Sequence, residues 1–312
     1  MITDSYINYI TSVRRYSPRT REIYREILDG FVDYSCGPDA SDEDVCKALN
    51  PVALRNYEVH LMDECGLGAR TVNQHISVLS GFGRYLMKEG LVGSNAARSV
   101  SRPKVEKRLP EFFRESSMKE YFEKTDYYAS EENTDWEKRM RRLVISILYG
   151  TGIRRAELIG MNVSSVDFSR NVIHVLGKGD KMREIPIISS LSHEIYLYLQ
   201  ATESMMGERT AEDPLLVTEK GRRLYPMAVQ RIISQELGAV DSISGKKSPH
   251  MLRHTLATEL LDNGADLNSI KELLGHSSLA ATQVYTHNSI EKLKQVYNRA
   301  HPRAKRGGNN GD

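Results

Sequence analysis

Cysteine is scarce in this chain of 312 residues. Cys36, Cys46 and Cys65 are odd in number, widely spaced and form no CxxC pair. That excludes a disulfide framework and a thiolate zinc site, and the three read as reduced thiols. No apolar run approaches the length of a membrane span. The start, MITDSYINYI, lacks the basic residues and apolar core of a secretory leader. There is no internal repeat, and low complexity is confined to the basic, Gly-rich end from Pro302. A large net charge is missing too, since 43 Lys and Arg against 41 Asp and Glu leave +2. What remains, 40% hydrophobic and 27% charged residues, is the composition of a soluble globular protein with length enough for two domains.

The near-neutral sum hides a division. Residues 39–64 carry a net −5 and residues 66–110 a net +6. A one-sided basic surface can bind a phosphate backbone while the molecule stays nearly neutral; a solvated helix face is the plainer account. The first hundred residues read as helices between breakers. Ser17 and Pro18 open one whose stripe is Ile23, Ile27, Leu28, Phe31 and Val32. Asn50 and Pro51 open a second, ended by Gly66. A third carries Val72, Ile76, Leu79, Phe82 and Leu86 on one face. Gly81 and Gly83 weaken that helix by roughly 1 kcal/mol each, and close approach of another backbone is the reason the sequence suggests. SVSRPKVEKRLPEF reads as a linker. A very apolar helix follows, broken at Gly150–Gly152, then a second helix. NVIHVLGKGDKMREIPI is the one convincing strand pair, and the chain after Ile188 is mainly helical.

Several stretches put polar residues where packing does not ask for them. In TGIRRAEL, Arg154 reads as a buried arginine with Glu157 three residues on, either an internal pair or a guanidinium held for phosphate. Lys178 sits at the tip of the strand pair between two glycines, without the spacing of a Walker loop. In SPHMLRHTLATELL, Pro249 opens a helix with His250 and Arg253 on one face of its first turn and His254 on another azimuth. His276 follows a helix end, and Tyr285 lies nine residues further on. Two arginines, a lysine, two histidines and a tyrosine, with no acid cluster suited to magnesium, form an inventory for metal-free phosphoryl transfer. Arginines orient a phosphodiester, a phenol is a covalent nucleophile, and lysine or histidine protonates a leaving alkoxide.

These motifs, in this order and spacing, resemble the tyrosine recombinases (the phage integrase family), most closely the bacterial XerC/XerD recombinases. The resemblance covers nearly the whole chain. It implies a mainly α, two-domain DNA clamp. Residues 1–98 would be an N-terminal helical bundle of the SAM-like, core-binding type and 99–110 the linker. Residues 111–300 would be a mixed α/β, mostly helical catalytic domain with a small β-sheet, and 301–312 a basic flexible tail. Arg154 and Arg253 would hold the scissile phosphate, with Glu157 supporting the arginine helix. Lys178 would protonate the leaving 5′-oxygen, His250 would act in acid–base chemistry and His276 would hydrogen-bond the phosphate. Tyr285 would attack to form a 3′-phosphotyrosyl link. Arg70, Thr71, Arg84, Arg102 and Lys104 would grip DNA. Arg155 and Glu259 depart from the usual pattern, where an aliphatic residue and a histidine are common, and the acidic stretch 39–64 is unusual.

The implied partners are double-stranded DNA with an inverted-repeat recombination site and a homo- or hetero-tetramer on it, with a second recombinase or accessory protein left open. No metal, cofactor or membrane is implied, and the implied location is cytoplasmic. Chromosome-dimer resolution, mobile-element integration and DNA inversion all fit. A type IB topoisomerase-like nicking enzyme and a non-catalytic architectural DNA-binding protein are the competing readings. Residues 289–300 form an amphipathic stripe of Ile290, Leu293, Val296 and Tyr297. By resemblance, that helix is expected to dock into a neighbouring protomer.

Overall fold

The computed structural model describes residues 1–37, 39–105, 112–177 and 182–275, with Gln295, Tyr297, Arg299, Ala300, His301 and Arg303. The chain divides into two compact units, Met1–Arg108 and Leu109–Asp312. Among the described residues no helix is long and apolar enough to cross a membrane.

The first unit is a helical bundle of α1 (Ile2–Ser12), α2 (Pro18–Ser35), α3 (Asp42–Ala48), α4 (Pro51–Val59) and α5 (Ala69–Lys88). The caps are the expected ones. Ser17 accepts from Thr20 N–H at 3.2 Å, and Asn50 accepts from Val52 and Ala53 N–H at 3.0 Å. Past Val59 the chain widens into one π-helical turn, His60–Glu64, which the sequence reading did not anticipate. The α5 stripe of Val72, Ile76, Leu79, Phe82 and Leu86 is fully buried. At about 1.5–3 kcal/mol for each such side chain, it outweighs the two glycines. Those glycines admit side chains, where another backbone had been expected. A Cβ on Gly81 would lie 2.6 Å from the Tyr6 hydroxyl, and one on Gly83 would lie 2.7 Å from Asn95 Oδ1. The unusual acids also find a local cause. Ser41 and Asp44 form a reciprocal capping box, three acids occupy the first turn of α3, and Asp42 accepts from Ile2 N–H at 2.7 Å.

In the second unit α6 (Glu115–Lys124) leads to α7 (Trp136–Thr151), whose residues from Leu143 to Thr151 are all buried. α7 ends at Gly152, with φ of 62°, so the helix runs through Gly150 and breaks only there. The short α8 (Arg155–Gly160) follows. Then comes a three-stranded antiparallel meander, β1 (Val166–Asp167), β2 (Val172–Leu176) and β3 (Met182–Pro186). The last β2–β3 pair is Leu176 with Met182. β1, only two residues long, was not legible. Four further helices follow among the described residues: α9 (Ser189–Met206), α10 (Pro226–Gly238), α11 (Pro249–Asp262) and α12 (Leu267–Leu274). α7 packs against α9, α10 and α11.

At the end of the chain the described residues pack within the second unit. Tyr297 and Ala300 are buried in the core of their own unit, and the Tyr297 hydroxyl donates to Gly150 O at 2.5 Å. The stripe expected to seek a neighbouring protomer is turned inward at Tyr297; residues 289–294 and Val296 lie outside the described residues. His301 and Arg303, from the stretch expected to be a flexible tail, are the residues of it that the structure describes, and both make contacts. His301 is fully buried, and Arg303 pairs with Glu194 at 2.6 Å while its guanidinium covers the Phe122 ring. The cause is Glu194. It is buried, receives Ser146 Oγ at 2.6 Å and Arg142 at 3.3 Å, and its carboxylate takes a second cation from the chain end. Burial alone would raise its pKa; the charges of Arg303 and Arg142 hold it below the usual carboxylate range.

Candidate active site

Arg154 stands immediately before α8, and Glu157 closes the helix start by accepting the Arg154 N–H at 2.8 Å. The other end of α8 is held by Arg223. Its guanidinium donates to Ile159 O at 2.7 Å, Met161 O at 2.9 Å and Asn162 Oδ1 at 2.6 Å. A six-residue helix is thereby fixed at both termini, where its backbone groups lack partners of their own.

Arg154 is not the buried arginine that the sequence suggested: 43% of its side chain is exposed. Nη1 donates to Glu157 at 2.8 Å and Nη2 to Gly275 O at 3.0 Å. The buried arginine is Arg253, 6% exposed, on α11. Its Nη1 donates to Gly152 O at 2.5 Å and its Nη2 to Leu274 O at 2.6 Å. One guanidinium therefore joins the C-terminal ends of α7 and α12. Burial, with the like charges of Arg154 and Arg183, lowers Arg253 to about 10, so it stays charged at neutral pH.

Arg183 was missed. It lies on β3, is 6% exposed, and forks onto Glu157 at 3.0 and 2.9 Å. Burial alone would raise Glu157; the hydrogen bonds and charges of Arg183 and Arg154 outweigh it and hold the carboxyl at about 2. The only signal in the sequence was a charged residue at the inward register of a strand, opposite Val175.

His250 lies exposed in the first turn of α11, capped by Ser248. The reading that set His254 on a different azimuth fails. The two rings face each other at 6.2 Å with planes 8° apart, as residues four apart on a helix do, and Arg253 turns inward instead. Glu259, two turns along, is buried and accepts the Tyr149 hydroxyl at 2.6 Å. Burial pushes it up to about 7. The structure thus brings together Arg154, Glu157, Arg253 and the unforeseen Arg183. Lys178, His276 and Tyr285 lie outside the described residues.

In the first unit Arg70, Thr71 and Arg84 are exposed on α5. Arg70, Ser77 and Arg84 share one face by helical spacing. Arg102 donates to Ser77 Oγ at 3.0 Å, and Asn73 donates to Pro103 O at 2.9 Å. The segment carrying Arg102 and the exposed Lys104 is therefore tied along the basic face of α5.

Comparison with known proteins gives the same division. Residues 3–90 match the model of the phage integrase N-terminal SAM-like domain, and residues 116–292 that of the phage integrase family. The tyrosine recombinase XerC of Pelotomaculum thermopropionicum is 34% identical, with 97% of this chain and 98% of that protein covered. The XerC of Bacillus pumilus is 35% identical, with 96% and 95% covered. Among solved structures, the XerH site-specific recombinase bound to a palindromic difH substrate superposes with a TM-score of 0.68. It is 21% identical, with 94% of this chain and 83% of that chain covered. A lambda integrase dimer bound to a core site gives 0.62 at 19% identity, with 91% and 97% covered.

Proposed function

The chain belongs to the phage integrase family and is a Xer-like site-specific tyrosine recombinase, and on that premise we propose how its residues carry out the reaction. Arg154 and Arg253 bind the two non-bridging oxygens of a DNA phosphodiester. The Tyr285 phenol attacks phosphorus while His250 accepts its proton. The bond from phosphorus to the 5′-oxygen breaks, Lys178 protonates that oxygen, and His276 hydrogen-bonds the phosphate in the transition state. The product is a 3′-phosphotyrosyl link with a free 5′-hydroxyl. Attack by a second strand's 5′-hydroxyl reverses the step, and two such exchanges pass through a Holliday junction.

The observation that carries this reading is the pair of guanidiniums, Arg154 half open and Arg253 buried, both braced on the end of α12 next to His276. Cations already fixed and partly desolvated favour the charge of the transition state without reorganising when it forms. Double-stranded DNA with an inverted-repeat site is the proposed substrate, gripped by Arg70, Thr71, Arg84, Arg102 and Lys104. A tetramer on DNA, working in the cytoplasm, is the proposed assembly.

The test is covalent capture. A randomised duplex library is incubated with the chain, adducts that survive denaturation are collected, and the enriched duplex is rebuilt with a nick that traps the intermediate. Tyr285→Phe should bind this duplex and form no adduct. An adduct on the Phe variant would overturn the assignment.

A further inference from the structure

Glu157 carries one negative charge and faces two guanidinium groups. Its Oε1 accepts Arg154 Nη1 at 2.8 Å and Arg183 Nη1 at 3.0 Å. Its Oε2 accepts the Arg154 backbone N–H at 2.8 Å and Arg183 Nη2 at 2.9 Å. Arg253 lies close enough for its charge to be felt by the same group, since Arg154, Glu157 and Arg183 all shift its proton affinity. Two guanidiniums thus bond to one carboxylate, while a third, Arg253, is spent on the Gly152 and Leu274 carbonyls.

The two claims on Glu157 are unequal. Arg183 is buried and uses a planar fork, the strongest geometry a guanidinium has for a carboxylate. Arg154 shares one oxygen through one side-chain nitrogen and keeps the other on a backbone carbonyl. If Arg183 were absent, both Glu157 oxygens would be open to the Arg154 guanidinium, Oε2 still accepting the Arg154 backbone N–H. The buried carboxylate, left with Arg154 as its one bonded guanidinium, would draw that group inward and neutralise it. Arg183 also meets the end of α12. A Cβ on Gly275, whose φ is 62°, would lie 3.1 Å from its Cζ and Nε. Among the described residues the buried Arg183 Nε–H has no acceptor, so the guanidinium edge stays in place against Gly275 at a cost in hydrogen bonding.

We propose that Arg183 is a positioning residue for strand cleavage: by occupying Glu157 it leaves Arg154 in positive excess and turned toward the phosphodiester, and it sets the backbone from which His276 follows. This role rests on the recombinase reading above. Arg183 touches no reacting atom in it. It acts through Arg154 and through the end of α12.

The experiment uses the nicked duplex obtained by covalent capture with the wild-type chain. The rate of adduct formation in a preformed complex is measured beside the affinity for the same duplex. Arg183→Met fills the volume without charge and should slow adduct formation by about 100-fold, the scale of a misplaced catalytic group, with affinity nearly unchanged. Adding Glu157→Gln removes the carboxylate that captures Arg154 and should recover most of the rate. A residue that merely supported the fold would show no such recovery. Arg183→Lys keeps the charge but loses the fork, and should be slowed by about 10-fold; it carries the test if the Met variant does not melt cooperatively. A Met or Lys variant as fast as wild type, or a folded double variant no faster than the Met variant, would overturn the role. A wild-type chain that captures no duplex at all would overturn the recombinase reading and this role with it.

Discussion

The two units treat charge in opposite ways. Among its described residues the first unit buries no charged side chain; its buried polar groups are Thr3, Ser80 and Asn95. The second unit buries Arg142, Glu157, Arg183, Glu194, Arg253 and Glu259, among others. The first unit's arginines stay in water on α5, where a phosphate backbone can displace their counterions. The second unit's buried arginines, Arg142, Arg183 and Arg253 among them, have already left water and are held by carboxylates and backbone carbonyls. Gripping DNA requires only the first arrangement. Stabilising charge that appears during a reaction is served by the second, because a fixed, desolvated cation acts more strongly than a solvated one.

The comparison is broken most severely at Glu194. Glu194→Ala leaves Arg142, 3% exposed, facing one carboxylate fewer, and a buried pair deprived of one member loses about 3–5 kcal/mol. Urea unfolding of the second unit's transition should show that loss, and adding Arg142→Met should restore part of it. A stability unchanged by Glu194→Ala would mean that these charges are solvated in solution.

A smaller effect tests the sign of a buried carboxyl. Glu259 is raised from 4.5 to about 7 by burial, with Glu115 and Asp262 adding like charge and Tyr149 partly offsetting it. Its contribution to stability is therefore full below pH 4.5 and is lost as pH rises through about 7, amounting to roughly 3 kcal/mol of penalty beyond that point. His301 has the opposite sign. Burial and the charge of Arg303 lower it to about 3, so its contribution is present above about pH 6.5 and lost as pH falls. Comparing wild type with Glu259→Gln isolates the first group. The Tm of the Gln variant should gain on wild type between pH 5 and pH 8 and level off above. A constant difference across that range would show that Glu259 ionises normally.

The smallest effect lies in the first unit. Arg70→Ala on α5 should weaken DNA binding modestly and make the slope of log affinity against log salt shallower by about 0.9, the value for one phosphate contact. Its unfolding midpoint should not move. An unchanged salt slope would remove Arg70 from the interface, and a large loss of stability would put a buried charge where the comparison has none.

What the sequence revealed and what it hid divide by distance along the chain. Ser17 with Pro18, Asn50 with Pro51 and Ser248 with Pro249 announced helix starts because each cap acts within three residues. The α5 stripe was legible through its period. Arg154 and Glu157 were paired correctly for the same reason. Arg183 escaped because its carboxylate lies 26 residues earlier. Gly81 and Gly83 kept their reason hidden, since Tyr6 and Asn95 reach them only in the folded bundle. Calling Arg154 buried followed from its apolar neighbours in sequence, yet Arg253 took that place, drawn in by carbonyls 101 and 21 residues away. The inward turn of Tyr297 depended on a carbonyl 147 residues upstream, and periodicity alone does not say which groove an apolar stripe will meet.

That long reach of Tyr297 and Arg303 bears on the order in which the protein takes shape during synthesis. The first unit draws its core from the first hundred residues, so it can close while the rest is still being made. The second cannot. Gly150 is translated 147 residues before the tyrosine that caps it, and Glu194 precedes its Arg303 by 109. At about 5–20 residues per second, α7 and α9 wait on the order of ten seconds for their last partners. For that interval a nascent chain holds a first unit with all of its core residues tethered to a second unit that still lacks some of its own.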